Sequence, residues 1–300
     1  MSMNTNSKII YDELPALYRA SDKASITAQN QFVVLTSINL GLMLMAAIAG
    51  SLTLSDTSMK TMLAITSAIL LTIGIFVTII IRTTKLERVW YDGRAIAESV
   101  KTLAWRYMTG CDPYSIDLGS KADEMFISSL HSLLVERKTF AAKLGSQYNR
   151  EQQITDKMRI VRSLGTDERK RIYLSERIDE QRKWYSGKTE VNLISANRMF
   201  MGTIASQALA IIFAFTIVVW QGSIIKLTGV FTTLAAAFMA WTQMRRNEEQ
   251  AQSYGLATQE LNFIFEQSSQ VRTEKELSTY VVNSENAISR EHTMWLARRS

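Results

Sequence analysis

The residues that could carry out chemistry are few, and their spacing does not assemble a catalytic group. The chain of 300 residues has 2 histidines, His131 and His292, which are far apart in sequence. Its 1 cysteine, Cys111, can form neither an internal disulfide nor a cysteine-based zinc site. A glycine-rich phosphate loop, a paired-cysteine motif and a nucleophile elbow are all missing from the sequence. We therefore predict a protein that is not an enzyme and that uses no cofactor and no metal.

Polar side chains inside apolar segments point to a different function, the permeation of ions. Asn39 and Gln207 carry amides within two such segments, and Thr36, Thr72 and Thr216 carry hydroxyls. Hydroxyl and amide groups can line a pore, and on that basis we predict that these residues are pore-lining. The same groups can instead hydrogen-bond between helices and hold a bundle together, so the sequence leaves both interpretations open.

Four runs without Asp, Glu, Lys or Arg are the elements that would position these groups, at 32–55, 62–81, 199–225 and 227–244. A helix of about 20 apolar residues crosses the hydrocarbon core of a bilayer. The fourth run is diluted by threonines at its start, which would also suit a buried helix of a soluble domain. Its short link to the third run favours a span. We predict an all-α membrane protein with four transmembrane helices in two hairpins and with long polar helices packed into a cytoplasmic domain.

The distribution of basic residues predicts the orientation of these hairpins. Of 34 Lys and Arg residues, only Lys60 and Lys226 lie in the links within the hairpins. Because basic residues favour the cytoplasmic side, we predict a multi-pass protein of the inner (plasma) membrane with both termini cytoplasmic. The bilayer is then a partner, and the net charge of +6 needs no nucleic acid to explain it.

The predicted organisation has five segments. These are a cytoplasmic N-terminal helix at 1–31, a first hairpin at 32–81, a cytoplasmic helical domain at 82–198, a second hairpin at 199–244 and cytoplasmic C-terminal helices at 245–300.

The second half of the chain echoes the first. Gly93 and Gly255 follow the second and fourth runs and lie 162 positions apart, as do Phe76 and Phe238. The absence of proline from 62 to 108 predicts one uninterrupted helix that ends at the turn 110–113. The fourth run is predicted to continue in the same way.

Several aromatic and charged motifs carry a family resemblance. They are Leu14–Asp22, Trp90–Ser99, Leu103–Tyr107, Tyr173–Lys188 and Ala287–Arg299. With these motifs the chain resembles the SLATT proteins, the SMODS- and SLOG-associating two-transmembrane effectors, and almost the whole chain reads as two such units in tandem. The resemblance implies a membrane effector of bacterial conflict (anti-phage) systems that opens a pore when a nucleotide second messenger is sensed by a partner protein.

Two functional hypotheses follow. In the first, the protein is a homo-oligomeric pore or ion channel gated from the cytoplasmic side, because four helices rarely enclose a wide path by themselves. In the second, it is a non-conducting scaffold anchored in the membrane that recruits a cytoplasmic partner. The predicted partner or gating surface consists of aromatic and basic residues, although such residues also pack between helices: Trp90, Arg94, Trp105, Arg106, Trp184, Tyr185, Trp295 and Arg298.

Overall fold

Helices account for nearly all of the structure. The computed structural model describes residues 9, 11–52, 56–144, 151–219 and 227–297, except for the side chains of 217, 218 and 290–297. Within those residues there is no strand, which confirms the prediction of an all-α chain. The α-helices are α1 (Ala16–Ser51), α2 (Thr57–Thr84), α3 (Leu86–Thr109), α4 (Lys121–Glu136), α5 (Lys138–Ala141), α6 (Asp156–Ser163), α7 (Thr166–Tyr173), α8 (Asp179–Val219), α9 (Thr228–Arg245), α10 (Asn247–Gln267) and α11 (Glu274–Ala297).

The chain divides into two compact units. The polar unit comprises Met1–Ala28, Glu87–Thr189 and Gln252–Ser300, and the apolar unit comprises Gln29–Leu86 and Glu190–Ala251. Most of the segment predicted as a cytoplasmic helical domain therefore lies in the polar unit, which also includes both ends of the chain. Helices α1 and α8 each contribute residues to both units.

The apolar unit exposes its large hydrophobic side chains. Phe76, Phe215 and Met62 are each more than 60% exposed, and no more than 11% of the residues in the most apolar stretches are buried. In the described chain, three helical stretches are long and apolar enough to cross a membrane: Ala16–Ser51, Thr57–Thr109 and Thr166–Thr216. A monomer with so much exposed apolar surface belongs in lipid rather than in water.

The fourth predicted span corresponds to α9, which has 18 residues. At 1.5 Å per residue this helix is about 27 Å long, close to the thickness of the hydrocarbon core. It is not one of the three stretches that are apolar enough by composition. The arrangement of four spans in two hairpins therefore stays a prediction.

The polar unit has a core rich in aromatic residues. Tyr107 of α3 packs its ring against Phe126 of α4 at 5.0 Å and against Tyr114 at 6.1 Å. Trp105 packs edge-on against Tyr173 at 5.7 Å. The helical spacing of Ile96, Val100 and Tyr107 in the sequence places all three side chains on the buried face of α3.

Each apolar helix that leads back to the polar unit is interrupted by a basic residue in the left-handed conformation. Lys85 has φ 51° between α2 and α3, and Arg246 has φ 48° between α9 and α10. The prediction of one uninterrupted helix over 62–108 was therefore wrong, and so was the similar prediction for the fourth run. A left-handed non-glycine residue costs about 1–2 kcal/mol, and neither site has the glycine or proline that would have signalled it. A break thus occurs in both halves, at positions 161 residues apart, which is one residue short of the 162-residue offset of the repeat.

The end of α3 is as predicted. Gly110 has φ 69°, its N–H bonds to the Tyr107 carbonyl at 3.1 Å, and the Cys111 N–H bonds to the Arg106 carbonyl at 3.0 Å. This pair of bonds is the Schellman motif, in which glycine relieves the strain of the left-handed residue.

Candidate functional site

A buried ion pair between Arg177 and Glu285 lies at the centre of the polar unit. The Arg177 side chain is 1% exposed and the Glu285 side chain is fully buried. Arg177 donates from Nε to Oε1 at 2.9 Å and from Nη2 to Oε2 at 2.8 Å. Tyr173 donates its hydroxyl to Oε1 at 3.0 Å, and Thr102 donates to Oε2 at 2.8 Å. The Glu285 carboxylate thus accepts four hydrogen bonds. We call Glu285 and its three donors, Arg177, Tyr173 and Thr102, the Glu285 network.

Arg177 keeps its positive charge despite burial. Burial by itself lowers the pKa of the Arg177 guanidinium, but the Glu285 carboxylate outweighs burial and holds that pKa above its ordinary value. Burial, and then the charge of Glu285, raises the pKa of the Tyr173 hydroxyl, which therefore remains a hydrogen-bond donor. Arg177 Nη1 is buried and has no hydrogen-bond partner among the described residues. The bidentate geometry is the one that best offsets the cost of burying two charges.

Local backbone geometry positions Arg177. Residues Leu174–Ile178 form a short π-helix between α7 and α8. Single turns of π-helix are rare and occur often at functional sites. Because Thr102 belongs to α3 and Glu285 to α11, the network ties this segment to two further helices of the polar unit.

A charged cleft of about 480 Å³ is formed by α1, α3 and α8 in the polar unit. Its charged lining residues are three basic and three acidic side chains: Arg94, Lys101, Lys183, Asp22, Glu98 and Glu180. Tyr18 and Trp184 add aromatic surface. Since the basic and acidic side chains are equal in number, the cleft has no formal net charge.

The cleft places two ionisable groups in unusual environments. Burial, and then the charge of Arg177, lowers the pKa of the Lys101 amine. Lys101 lies over the Tyr18 ring, with Nζ 6.0 Å from its centroid, and has no ion pair within the described part of the chain. Burial raises the pKa of the Asp22 carboxyl, although a hydrogen bond from Tyr11 opposes the shift. Perturbed pairs of this kind in a cleft are a physical indication of a functional site.

Five of the eight residues predicted as a partner or gating surface fall into two groups. Trp90, Trp105 and Tyr185 are buried, which favours packing between helices over contact with a partner for those three side chains. Trp184 is 37% exposed and Arg94 lies over its ring at 5.7 Å, so these two share the wall of the charged cleft.

Of the other three residues of that surface, the side chain of Arg106 alone is described. Arg106 donates from Nη2 to Asn286 Oδ1 at 2.7 Å. Arg298 and the side chain of Trp295 lie outside the described residues.

The residues predicted as pore-lining differ in how their polar groups are satisfied. Thr36, Thr72 and Thr216 donate their hydroxyls to carbonyls of their own helices, those of Phe32, Ala68 and Phe213, at 2.9, 2.8 and 2.8 Å. Asn39 and Gln207 make no hydrogen bond within the described chain, although each amide has two donors and a carbonyl acceptor. Gln207 is exposed, and Asn39 is half-buried.

The isolated histidine and cysteine side chains form no larger constellation in the described structure. His131 lines an open groove of about 850 Å³ together with Asp123, whose carboxylate is already paired with Arg159. Cys111 is buried, and burial raises the pKa of its thiol to about 11. His292 lies in α11, and its side chain is outside the described set. Among the residues described, three or more His, Cys, Asp or Glu side chains nowhere gather closely enough to hold a metal ion.

Sequence reasoning missed Glu285 as a site residue. It is 108 positions from Arg177 and lies in a helix whose charge pattern resembles that of a solvated face. The one available signal was Arg177, which belongs to a motif of the family resemblance, but nothing in the sequence indicated its partner.

Comparisons with known proteins match two family models in tandem. The model of SMODS and SLOG-associating 2TM effector domain 3 matches residues 15–170, and the model of SMODS and SLOG-associating 2TM effector domain 1 matches residues 173–295. No curated protein and no solved structure matches the chain. Thr102 lies in the first matched region and Glu285 in the second, so the Glu285 network joins the two.

Proposed function

Because this chain belongs to the SMODS and SLOG-associating two-transmembrane effector (SLATT) family, in which its two domains are membrane effector domains, we propose that it forms an ion-conducting path as a homo-oligomer in the bilayer. The path is gated by the polar unit, which with both termini faces the cytoplasm, as the bias of Lys and Arg favours. No catalytic step is part of this function.

The two unpaired amides of the apolar unit carry the proposal. The three hydroxyls of the predicted pore are satisfied by their own helices, whereas Asn39 and Gln207 have no partner in the described chain. An unsatisfied polar group in hydrocarbon costs several kcal/mol. A hydrated path, or a neighbouring copy at the edge of such a path, supplies the missing hydrogen bonds. The exposed Gln207 is the residue that we place facing the water.

Gating follows from the helices that contribute to both units. α1 contributes Asp22 to the charged cleft and Asn39 to the apolar unit, and α8 contributes Trp184 and Gln207 in the same way. A ligand or sensor protein that changes the polar unit can therefore act on the path along two helices. The family resemblance implies that a nucleotide second messenger or its sensor is the activator.

Ion flux through the purified protein in liposomes tests this function. We expect the flux to rise with the protein-to-lipid ratio. We also expect Gln207→Leu and Asn39→Leu to change its conductance or its ion preference. Thr66→Val is the matched control, because the Thr66 hydroxyl is bonded to the Met62 carbonyl of its own helix at 2.8 Å and Thr66 is not among the predicted pore-lining residues. If both amide variants conduct as the parent does, the path is elsewhere. If no flux appears with or without candidate cyclic nucleotides, in vesicles of verified orientation, the function is wrong.

One observation favours the scaffold as a second candidate. Trp184 is 37% exposed beside Arg94, which is an arrangement typical of a protein contact. In that case the parent protein has no flux but co-purifies with a cytoplasmic partner, and Trp184→Ala in the whole chain loses this partner. If the Trp184→Ala variant still co-purified with the partner, this surface would be excluded as the contact.

A further inference from the structure

A groove between the first two apolar helices has two polar side chains in an otherwise apolar wall, and one of them makes no hydrogen bond. The groove has a volume of about 340 Å³ and lies between α1 and α2 of the apolar unit. Apart from Asn39 and Thr78, its lining is aliphatic or glycine, with Leu42, Met43, Leu70 and Ile75 among the wall residues. Thr78 donates its hydroxyl to the Gly74 carbonyl at 3.0 Å, so its hydrogen bond is already made. Only the Asn39 amide is left without one.

Gly74 provides the surface on which this amide rests. A Cβ placed on Gly74 would stand 3.3 Å from Asn39 Oδ1, which is tighter than ordinary van der Waals contact. Gly74 is buried, whereas Gly41 of the same hairpin has open space where its Cβ would be. Glycine at 74 therefore lets the Asn39 side chain lie against the backbone of α2.

The chemistry of the surroundings restricts what can occupy the groove. Lipid chains fill an apolar groove but offer neither donor nor acceptor to an amide, and leaving the amide unpaired in hydrocarbon is costly. Asparagine amides satisfy one another, because each has both a donor and an acceptor. Copies inserted in the same orientation carry Asn39 at the same depth, so a symmetric pair brings the two amides together.

We infer that Asn39 is the contact through which two copies of this chain associate, with the amide of one copy hydrogen-bonded to the Asn39 amide of the other above Gly74. The occupant of the groove is thus the first hairpin of a second copy. This inference rests on the self-association in the proposed function but not on ion flow, because the contact forms whether or not a path conducts.

Cysteine crosslinking in membranes tests the contact directly. Cys111→Ser removes the natural thiol, and Met43→Cys places a new one a turn from Asn39 on the wall of the groove, at a side chain that is 48% exposed. We expect oxidation to give a disulfide-linked dimer in native membranes. Adding Asn39→Leu lowers the association constant about threefold to tenfold, as measured for single hydrogen bonds between membrane helices. Asn39→Gln retains the crosslink.

Glycine variants provide a matched pair that leaves the amide in place. Gly74→Ala displaces the Asn39 side chain and reduces the crosslink, whereas Gly41→Ala, which meets nothing within 4 Å, leaves it unchanged. Size-exclusion profiles in detergent verify that each variant is folded. An equal effect of the two alanines would contradict the role of Gly74.

Three outcomes overturn the inference. They are no crosslink in the parent, an undiminished crosslink in Asn39→Leu, and a crosslink that Gln207→Leu lowers more than Asn39→Leu does. Flux is measured on the same vesicles. If the crosslink depends on Asn39 and no flux is measured, the contact is supported and the conducting path is contradicted. If flux is measured without the crosslink, the conducting path is supported and the contact is contradicted.

Discussion

The polar and apolar units satisfy their polar groups in opposite ways. In the polar unit, hydrogen bonds join residues far apart in sequence, such as the bond from Arg177 to Glu285 and the bond from Thr102 to Glu285 across 183 positions. In the apolar unit, most described hydroxyls bond to a carbonyl three or four residues earlier in the same helix, as Thr72 does. The polar unit therefore depends on one specific tertiary arrangement. The apolar helices are nearly self-sufficient, which leaves them free to associate with other copies.

The largest effect is expected where the polar unit is most specific. Arg177→Met leaves the Glu285 charge buried and unpaired, and we expect it to lower the free energy of unfolding by about 3–5 kcal/mol. Thermal unfolding in detergent measures the loss. Arg159→Met is the control, because Arg159 is 53% exposed in its pair with Asp123 and such pairs contribute about 0–1 kcal/mol.

A double variant separates the network from simple loss of volume. Arg177→Met with Glu285→Leu removes both charges and should recover much of the stability lost in the single variant. A double variant that is less stable than Arg177→Met would show that the network is more than a compensated ion pair.

The next largest effect is expected at the residues in the left-handed conformation, where a substitution should increase stability. Lys85→Gly relieves the strain at φ 51°, and we expect it to raise the unfolding temperature through a gain of about 1 kcal/mol. Lys60→Gly, within α2, is the matched substitution and should cost about 1 kcal/mol. Loss of stability in both variants would mean that the Lys85 side chain contributes more than its backbone strain costs.

A hydroxyl bond between helices sharpens the comparison within the apolar unit. Ser67 donates to the Ala46 carbonyl of α1 at 3.1 Å, unlike the hydroxyls that bond within their own helices. Ser67→Ala should therefore cost about 0.6 kcal/mol, whereas Thr72→Val should cost close to nothing. Thermal unfolding in detergent compares the two, and an equal loss would remove the distinction between bonds within a helix and bonds between helices.

The smallest effect is a dependence on pH, which belongs to the polar unit because the apolar runs contain no acidic or basic residues. Burial raises the pKa of Asp22 above 3.8, so the folded state binds the proton more tightly than the unfolded state. Stability from this group is therefore lost as pH rises through the window above 3.8. Unfolding temperatures across acidic pH should show that Asp22→Asn removes this slope.

Asp123 supplies a control of opposite sign. Burial alone would raise the pKa of this carboxyl, but hydrogen bonds from Tyr107 and Arg159 lower it overall. Its stabilising contribution is present above its ordinary pKa and is lost as pH falls through the lowered value. Asp123→Asn should remove a slope of the opposite sign, and the same slope in both variants would contradict the assignment.

The sequence by itself determined the features that depend on local composition. Long runs without charge identified the apolar stretches, since such runs are stable only in lipid, and the scarcity of breakers identified an all-α chain. Aromatic and charged motifs identified the tandem family domains. Gly110 marked the end of α3, because the left-handed position that ends a helix favours glycine.

Tertiary structure alone decided the rest. The partner of Arg177 could not be read from charged helices that look alike, because burial, and not residue type, separates a core ion pair from a solvated one. Burial also decided which aromatic residues, such as Trp105 and Trp184, lie inside or at the surface. Packing against α2 placed the Asn39 amide over Gly74 without a partner in the described chain, because only the fold determines which polar groups remain for another molecule to satisfy.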